Sequence, residues 1–548
     1  MFPRGASTLA LRRLAAALVL FAGSGGLPAR ALARGPAGAQ PSAAPSRQLR
    51  GVALWTGSSP GLGAPAALRD AARRLSGAGK ISSVRISSFE NDEFRVQLGR
   101  NVNRRDVVLI HSPPQANAAT ELYSLMQAVA ASRSNGARSV RLLLDPALRE
   151  AFDRDDFLRT MFAALGADSV EFADGETRGP AVSGQKIAQA QTRRATEPRA
   201  HNASLAADSL LWGGGSHPAL LEALAKGLRV PGPIIEASPE PSGDAMVRLP
   251  QEPRGKRIYL LQTKRMGRGV LHADQLEMLR AVWQAKQAGA SEVTVIMPYL
   301  PYSRSDRKDE AGTSVGAAVL PRLMQAAGVD RVVTFSLHQP QEVGIFEALG
   351  EHGGMRVVHA SGEGVLARRV ADEVRRLKVP TDRLVVIAPD AGASKRAHVM
   401  VRFLAAELGL ADPGAIEVLV ANKRRSADGR ATSTQLDGHG RLAGAVALII
   451  DDETATGGTL ESVALAAAGQ GASLRLAAVS HLTGPAHIRL QKSPYLDKLF
   501  VTDTLPQDEV KRAGSEKIEV VSIAPDLAKI LRALDRGGST TPFEYLEK

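Results

Sequence analysis

The 548-residue sequence contains no cysteine. That excludes disulfides, thiolate metal sites and a cysteine nucleophile. Aromatic residues are also scarce, at 4% of the chain. Zinc-finger spacing, an aromatic RNA-binding signature and a long Lys/Arg run are all missing, so no nucleic-acid partner is expected. Acid is short relative to base: 69 Lys and Arg face 56 Asp and Glu, for a net charge of +13. The excess favours anionic partners in general and, without a motif to aim it, reads as a solvated basic surface. Long apolar runs are lacking too. The run Leu14 to Ala22 is too short to span a bilayer, so no stable membrane span is expected. What is abundant is small: Ala and 52 Gly residues in a chain that is 44% hydrophobic. Small residues suit α/β packing, where helices lie close on a sheet. The length suggests roughly three domains.

The N-terminus has the form of an export signal. Arg4, Arg12 and Arg13 precede the apolar run, and small residues offer cleavage after Ala33 or Ala39. Arg12-Arg13 resembles a twin-arginine signal. Residues 34–48 are an Ala/Pro/Gly/Ser/Gln spacer, so 1–48 is expected to be leader and spacer. A second polar, aperiodic stretch from about Gly175 to Asn202 predicts a linker over 176–206.

The regions on either side of that linker look like copies. Leu54-Trp55-Thr56-Gly57-Ser58-Ser59-Pro60 parallels Leu211-Trp212-Gly213-Gly214-Gly215-Ser216-His217-Pro218. Strand-like runs over 106–110 and 257–261 correspond, as do helix-period segments over 121–134 and 275–287. Matching order over more than a hundred residues predicts duplication of one α/β domain. The first copy would span 49–175 and the second 207–345. Strands then alternate with helix-period stretches over 346–536, before a tail at 537–548. The expected class is α/β: duplicated domains with mostly parallel sheets flanked by helices.

The most informative string is Ile449-Ile450-Asp451-Asp452-Glu453-Thr454-Ala455-Thr456-Gly457-Gly458-Thr459. An apolar strand ends in two carboxylates, which suit the paired hydroxyls of a ribose. A Thr/Gly turn opens the next helix, where backbone N–H groups and hydroxyls favour a phosphate. Ligands in open α/β sheets bind at this end of the strands.

That string resembles the phosphoribosyl pyrophosphate signature of phosphoribosyltransferases. Four more segments narrow the resemblance to ribose-phosphate diphosphokinases, the phosphoribosyl pyrophosphate synthetases: Pro298–Lys308, Leu337–Gln341, Ala388–Arg396 and Asn422–Arg425. The segments Val501–Thr504 and Val520–Pro525 match the family's closing stretches, and the likeness covers about 208–535. It implies a phosphoribosyltransferase-like fold and pyrophosphoryl transfer from ATP to ribose 5-phosphate, giving phosphoribosyl pyrophosphate and AMP. By resemblance His338 and Asp390 would hold Mg²⁺, and Lys423 and Arg425 would stabilise the transferring phosphates. Arg304, Ser305 and Asp306 would contact ATP. Asp451 and Asp452 would hold the ribose, with Ala455, Thr456, Gly457, Gly458 and Thr459 around its 5-phosphate. Residues 426–440 would form a lid.

Four positions depart from the family pattern: Ser305 for Gln, Ser336 for Asp, Asn422 for Asp, and Ala455 for the Asp that opens the phosphate turn. The second copy also lacks the family's aromatic loop, which reaches a neighbouring subunit's ATP site. The first copy keeps Phe89-Glu90-Asn91-Asp92-Glu93. Phe89, Asn91 and Glu93 are therefore expected at the ATP site of the second copy, either in a homo-oligomer or in an intrachain pseudo-dimer. The substitutions leave open a non-catalytic synthetase-like nucleotide-binding or regulatory protein. A phosphoribosyltransferase acting on a base is the third reading, opposed by the segments around Arg304 and His338. The leader points to export and ATP chemistry to the cytoplasm.

Overall fold

The computed structural model describes residues 51–548 apart from 56–65, 77–80, 89–92, 100, 112–117, 146–151, 153–155, 175–176, 179–203, 240–244, 266–269, 309, 349–353, 426–431, 437–440 and 547–548. The leader, the spacer, most of the linker, Phe89 and Asn91 lie outside the described residues. Among the described residues, no helix is long and apolar enough to cross a membrane.

The class is α/β, with three mostly parallel sheets flanked by helices. The first sheet holds Gly51–Trp55 (β1), Ile81–Ser88 (β2), Phe94–Leu98 (β3), Asp106–His111 (β4), Ser139–Leu144 (β5), Ser169–Phe172 (β6) and Thr177–Arg178 (β7). Their order is β3-β2-β1-β4-β5-β6-β7, with β3 and β7 antiparallel at the edges. β4 is buried at every position, as parallel strands covered on both faces are. Helices Ala66–Ser76 (α1), Ala118–Ser134 (α2) and Asp156–Leu165 (α3) accompany it.

The second sheet holds Ser209–Gly213 (β8), Arg257–Leu261 (β11), Glu292–Ile296 (β12), Arg331–Phe335 (β13) and Arg356–Ala360 (β14). A separate antiparallel hairpin, Glu236–Pro239 (β9) with Ala245–Arg248 (β10), sits between β8 and β11 in the chain. The helices are Pro218–Leu228 (α4), Leu271–Gln287 (α5), Val319–Ala327 (α6) and Val343–Glu347 (α7). The neighbours β1-β4-β5-β6 and β8-β11-β12-β13 follow the same order in the two sheets.

The third sheet holds Leu384–Ala388 (β15), Glu417–Arg425 (β16), Thr432–Leu436 (β17), Val446–Thr454 (β18), Leu474–Leu482 (β19), Lys498–Thr502 (β20) and Ile518–Val521 (β21). Its order is β17-β16-β15-β18-β19-β20-β21. The helices are Gly362–Arg376 (α8), Ser394–Leu408 (α9), Gly458–Gly469 (α10), Ala486–Leu490 (α11), Asp508–Ala513 (α12) and Ala524–Asp535 (α13).

Three features differ from the pattern reading. β14 pairs with β13, so the second sheet runs past residue 345. α13 leaves the third sheet and packs on α4, burying Leu527 and Leu531 in one cluster with Leu220 and Leu224. Within the segment read as a lid, Thr432–Leu436 forms β17, which pairs antiparallel with β16 from Ala421↔Leu436 to Arg425↔Thr432, while 426–431 and 437–440 lie outside the described residues. The first and second sheets do not stand apart either: one hydrophobic core runs through both, from Val52 to Met355.

Candidate active site

The signature segments gather at the carboxyl ends of the parallel strands. The turn after β12 carries Tyr299 to Asp306, the loop after β13 carries His338, and the loop after β15 carries Asp390. β18 carries Asp451, Asp452 and Glu453 just before its last residue, Thr454. Loops of the second sheet meet the end of β18 of the third here.

Two adjacent carboxylates of β18 make these contacts. Asp452 Oδ2 lies 2.7 Å from His338 Nδ1. Glu453 Oε1 lies 3.0 Å from Arg304 Nη1, with the Glu453 side chain buried and Arg304 about half exposed. Burial pushes Asp452 up, but Arg396 and the His338 hydrogen bond outweigh it and hold the carboxyl below the usual range. An ionised Asp452 only accepts, so His338 Nδ1 donates. Burial disfavours the charged ring of His338, yet the Asp452 hydrogen bond and charge leave it above its ordinary value. Asp451 is raised by burial, then by the charge of Asp452, with a further contribution from Asp390. Glu453 is pushed up to about 7 by burial, then by Asp452 and by Glu93.

His338 is held from below. Its backbone N–H donates to Ser303 Oγ at 3.0 Å. The Ser303 hydroxyl lies 2.9 Å from both oxygens of Glu342, which also accepts from the Gln339 N–H at 3.1 Å. Burial pushes Glu342 up to about 8. Ser305 Oγ accepts from the Gly316 N–H at 3.3 Å, and the negative charge of Asp306 adds to the rise of Glu342.

A turn joins β18 to α10. Gly457 has φ +78, and a Cβ there would lie 2.8 Å from the Leu490 side chain, so glycine is required. α10 begins at Gly458, with Thr459 in its first turn. Thr456 Oγ1 faces the Gly458 N–H at 3.5 Å. Ala455 is packed closely: a Cβ at Gly484 would lie 2.6 Å from the Ala455 carbonyl oxygen. Asp390 caps the turn into α9, accepting from the Ala393 N–H at 3.2 Å. The backbones of Lys423 and Arg425 pair with Thr434 and Thr432.

The first sheet reaches this site. Tyr299 donates its hydroxyl to Glu93 Oε1 at 2.7 Å, and Glu93 is 3% exposed. The Leu98 N–H donates to the Gly312 carbonyl at 2.9 Å, and Gln97 Nε2 donates to Glu310 Oε2 at 2.9 Å. Gly312 has φ +83, and a Cβ there would lie 2.8 Å from the Leu98 carbonyl oxygen. Phe94 and Tyr123 from the first unit pack on His272 and Tyr302 of the second. Tyr123 stacks on Tyr302 at 5.6 Å between centroids, and Phe94 lies 4.8 Å from His272.

The structure thus brings together Arg304, His338, Asp390, Asp451, Asp452 and Glu93. Sequence reasoning gave no role to Glu453, Tyr299, Ser303, Glu342 or Arg396. Glu453, Tyr299, Ser303 and Arg396 stand inside quoted strings, so position in a motif was the signal available. Glu342 carried none.

Among the described residues no group of three or more His, Asp or Glu side chains could hold a metal ion.

The model of the N-terminal domain of ribose phosphate pyrophosphokinase matches residues 209–328. The ribose-phosphate pyrophosphokinase of Aquifex aeolicus is 32% identical over 332 residues, which cover 60% of this chain and 96% of that relative. Ribose-phosphate pyrophosphokinase 1 of Streptococcus pneumoniae is 32% identical over 310 residues, 56% of this chain and 87% of the relative. Among solved structures, the phosphoribosylpyrophosphate synthetase from Mycobacterium smegmatis superposes with a TM-score of 0.51 at 28% identity. That match covers 60% of this chain and 99% of the other.

Proposed function

The chain belongs to the ribose-phosphate pyrophosphokinase family, and on that premise we propose how its residues divide the transfer of pyrophosphate from ATP to ribose 5-phosphate. The observation that carries the assignment is the pair of bridges His338–Asp452 and Arg304–Glu453, which put the ATP-side and ribose-side segments in contact. Asp451 and Asp452 accept the ribose hydroxyls, and the turn from Ala455 to Thr459 takes the 5-phosphate at the start of α10. Arg304, Ser305 and Asp306 meet ATP. Lys423 and Arg425, at the end of β16, neutralise the phosphates in flight.

The ribose 1-hydroxyl attacks the β-phosphorus of ATP, its proton leaves, and the bond to the α-phosphate oxygen breaks to release AMP. Such a step depends on positioning and charge neutralisation rather than covalent help. His338 and Asp390 would hold Mg²⁺, which supplies charge neutralisation to the ATP phosphates when bound. Phe89, Asn91 and Glu93 would complete the adenine side from within the same chain, making residues 49–175 a built-in partner of 207–345.

The test is direct. The full-length protein is mixed with ATP, ribose 5-phosphate and Mg²⁺, and AMP and phosphoribosyl pyrophosphate are followed. Formation of both in equal amounts is expected. ATP binding without either product would favour the second reading, a nucleotide-binding regulatory protein. The substitutions Ser305, Ser336 and Ala455 are what keep that reading alive.

A further inference from the structure

The loop that carries His338 is strained. Ser336 has φ +39, a conformation that a residue with a side chain adopts only when its surroundings impose it. Four side chains impose it here. Ser336 Oγ donates to Glu363 Oε2 at 3.0 Å. The Leu337 N–H donates to His359 Nε2 at 2.9 Å. The Leu337 carbonyl accepts from Arg396 Nη2 at 2.9 Å. Ser303 takes the next N–H, that of His338. Both backbone groups of Leu337, the residue before His338, are therefore fixed by side chains that have no role in the reaction as described.

Those side chains are braced in turn. Arg396 is buried and ion-paired with the buried Glu363. Burial pushes His359 down to about 3, so its ring is neutral and Nε2 keeps the lone pair that Leu337 uses. The last described residues of the chain then cross the back of this frame. The Ser361 N–H donates to the Phe543 carbonyl at 2.9 Å, and the Tyr545 N–H donates to the His359 carbonyl at 2.7 Å. Ala360 and Glu544 form an antiparallel bridge. The Tyr545 ring stacks on His359, with centroids 5.0 Å apart and planes at 21°. Its face lies 5.6 Å from the Arg396 guanidinium carbon. One aromatic ring thus touches both groups that clamp Leu337.

We propose that Tyr545, His359 and Arg396 are positioning residues: a C-terminal strap locks the clamp on Leu337 and so aims His338 into the site. The proposal rests on the reading of His338 as a ligand-binding residue. Displacing a reacting or binding group by about 1 Å costs up to about a hundredfold in rate, so loss of the clamp is read in kcat.

The experiment uses full-length Tyr545→Ala and Tyr545→Phe. Tyr545→Ala is expected to lower kcat roughly ten- to hundredfold, with KM for both substrates nearly unchanged, while Tyr545→Phe, which keeps the ring, retains kcat. The second readout is ¹⁵N-histidine NMR, with the His338 ring signals assigned by their loss in His338→Gln. They should move in Tyr545→Ala and coincide with wild type in Tyr545→Phe. Unmoved His338 signals in Tyr545→Ala overturn the proposal, and a fall in kcat that then tracks only a lower melting temperature makes the strap a stability element. A wild-type chain that forms no product overturns the reading of the reaction, while the ring signals still decide the positioning.

Discussion

Asp452 and Glu453 are neighbours in sequence, and both are buried, yet their acidities move in opposite directions. Asp452 has the buried Arg396 and the His338 hydrogen bond to favour its charge. Glu453 has one half-exposed arginine and two nearby negative charges, those of Asp452 and Glu93. Burial pushes both up, and the difference between them lies in their partners. Glu93 matters for the same reason, since it is a first-unit residue acting on a second-unit site. Glu93→Ala removes the acceptor of the Tyr299 hydroxyl. Losing one partner of a buried hydrogen bond costs about 1–3 kcal/mol, so the ATP KM is expected to rise about tenfold. Initial rates with ATP varied would show it, and an unchanged KM would mean that the first unit contributes nothing to the ATP side. At this scale the sequence was informative where chemistry is local. Arg304, His338, Asp451 and Asp452 were legible from strings of a few residues. Glu363 and His359 were not, because their partners lie 22 or more positions away and exist only once β13, β14 and α8 are packed. Ser336 was legible as a departure, but its work is backbone geometry, which no residue pattern displays.

Elements were easier to read than their ends. Apolar runs such as Val446-Ala447-Leu448-Ile449-Ile450 announce buried parallel strands. The β16–β17 hairpin was missed because polar residues, Lys423 to Arg425 and Thr432 to Gln435, make it and show no apolar alternation. The seat of α8 on the third sheet is also invisible in periodicity. Glu373, near its C-terminal end, meets Arg376 and Arg369 of the same helix and Lys498 of β20. The Arg376 hydrogen bond leads the effects that lower its pKa from 4.5 to about 2. A carboxylate with a depressed folded pKa stabilises the native state above its unfolded value and loses that contribution as pH falls through the folded one. Stability should therefore drop between about pH 4.5 and 2 partly through Glu373. In Glu373→Gln the drop over that interval should be shallower, measured by urea unfolding at stepped pH. Parallel wild-type and variant profiles would contradict this account.

At the scale of the molecule, patterning found two similar regions but could not say that they share one interior. The shared core follows from packing across α2, α3, α5 and α6, which no single helix pattern specifies. Phe157 of α3 shows the consequence. It is fully buried, with the Arg280 guanidinium 4.8 Å from its ring centroid and the Trp283 ring 6.3 Å away, both on α5 of the second unit. Truncating a buried Phe to Ala costs about 3–5 kcal/mol through lost contacts and a residual cavity. If the two units were independent, that loss would fall on the first alone, and it would melt ahead of the second. A common core makes the loss common: contacts of Phe157 belong to both units, and the second cannot keep its interior while the first unfolds. Phe157→Ala is therefore expected to lower one joint calorimetric transition of the two units. A low-temperature transition that appears alone, with the ATP-side transition left at its wild-type temperature, would show that the interface does not couple them.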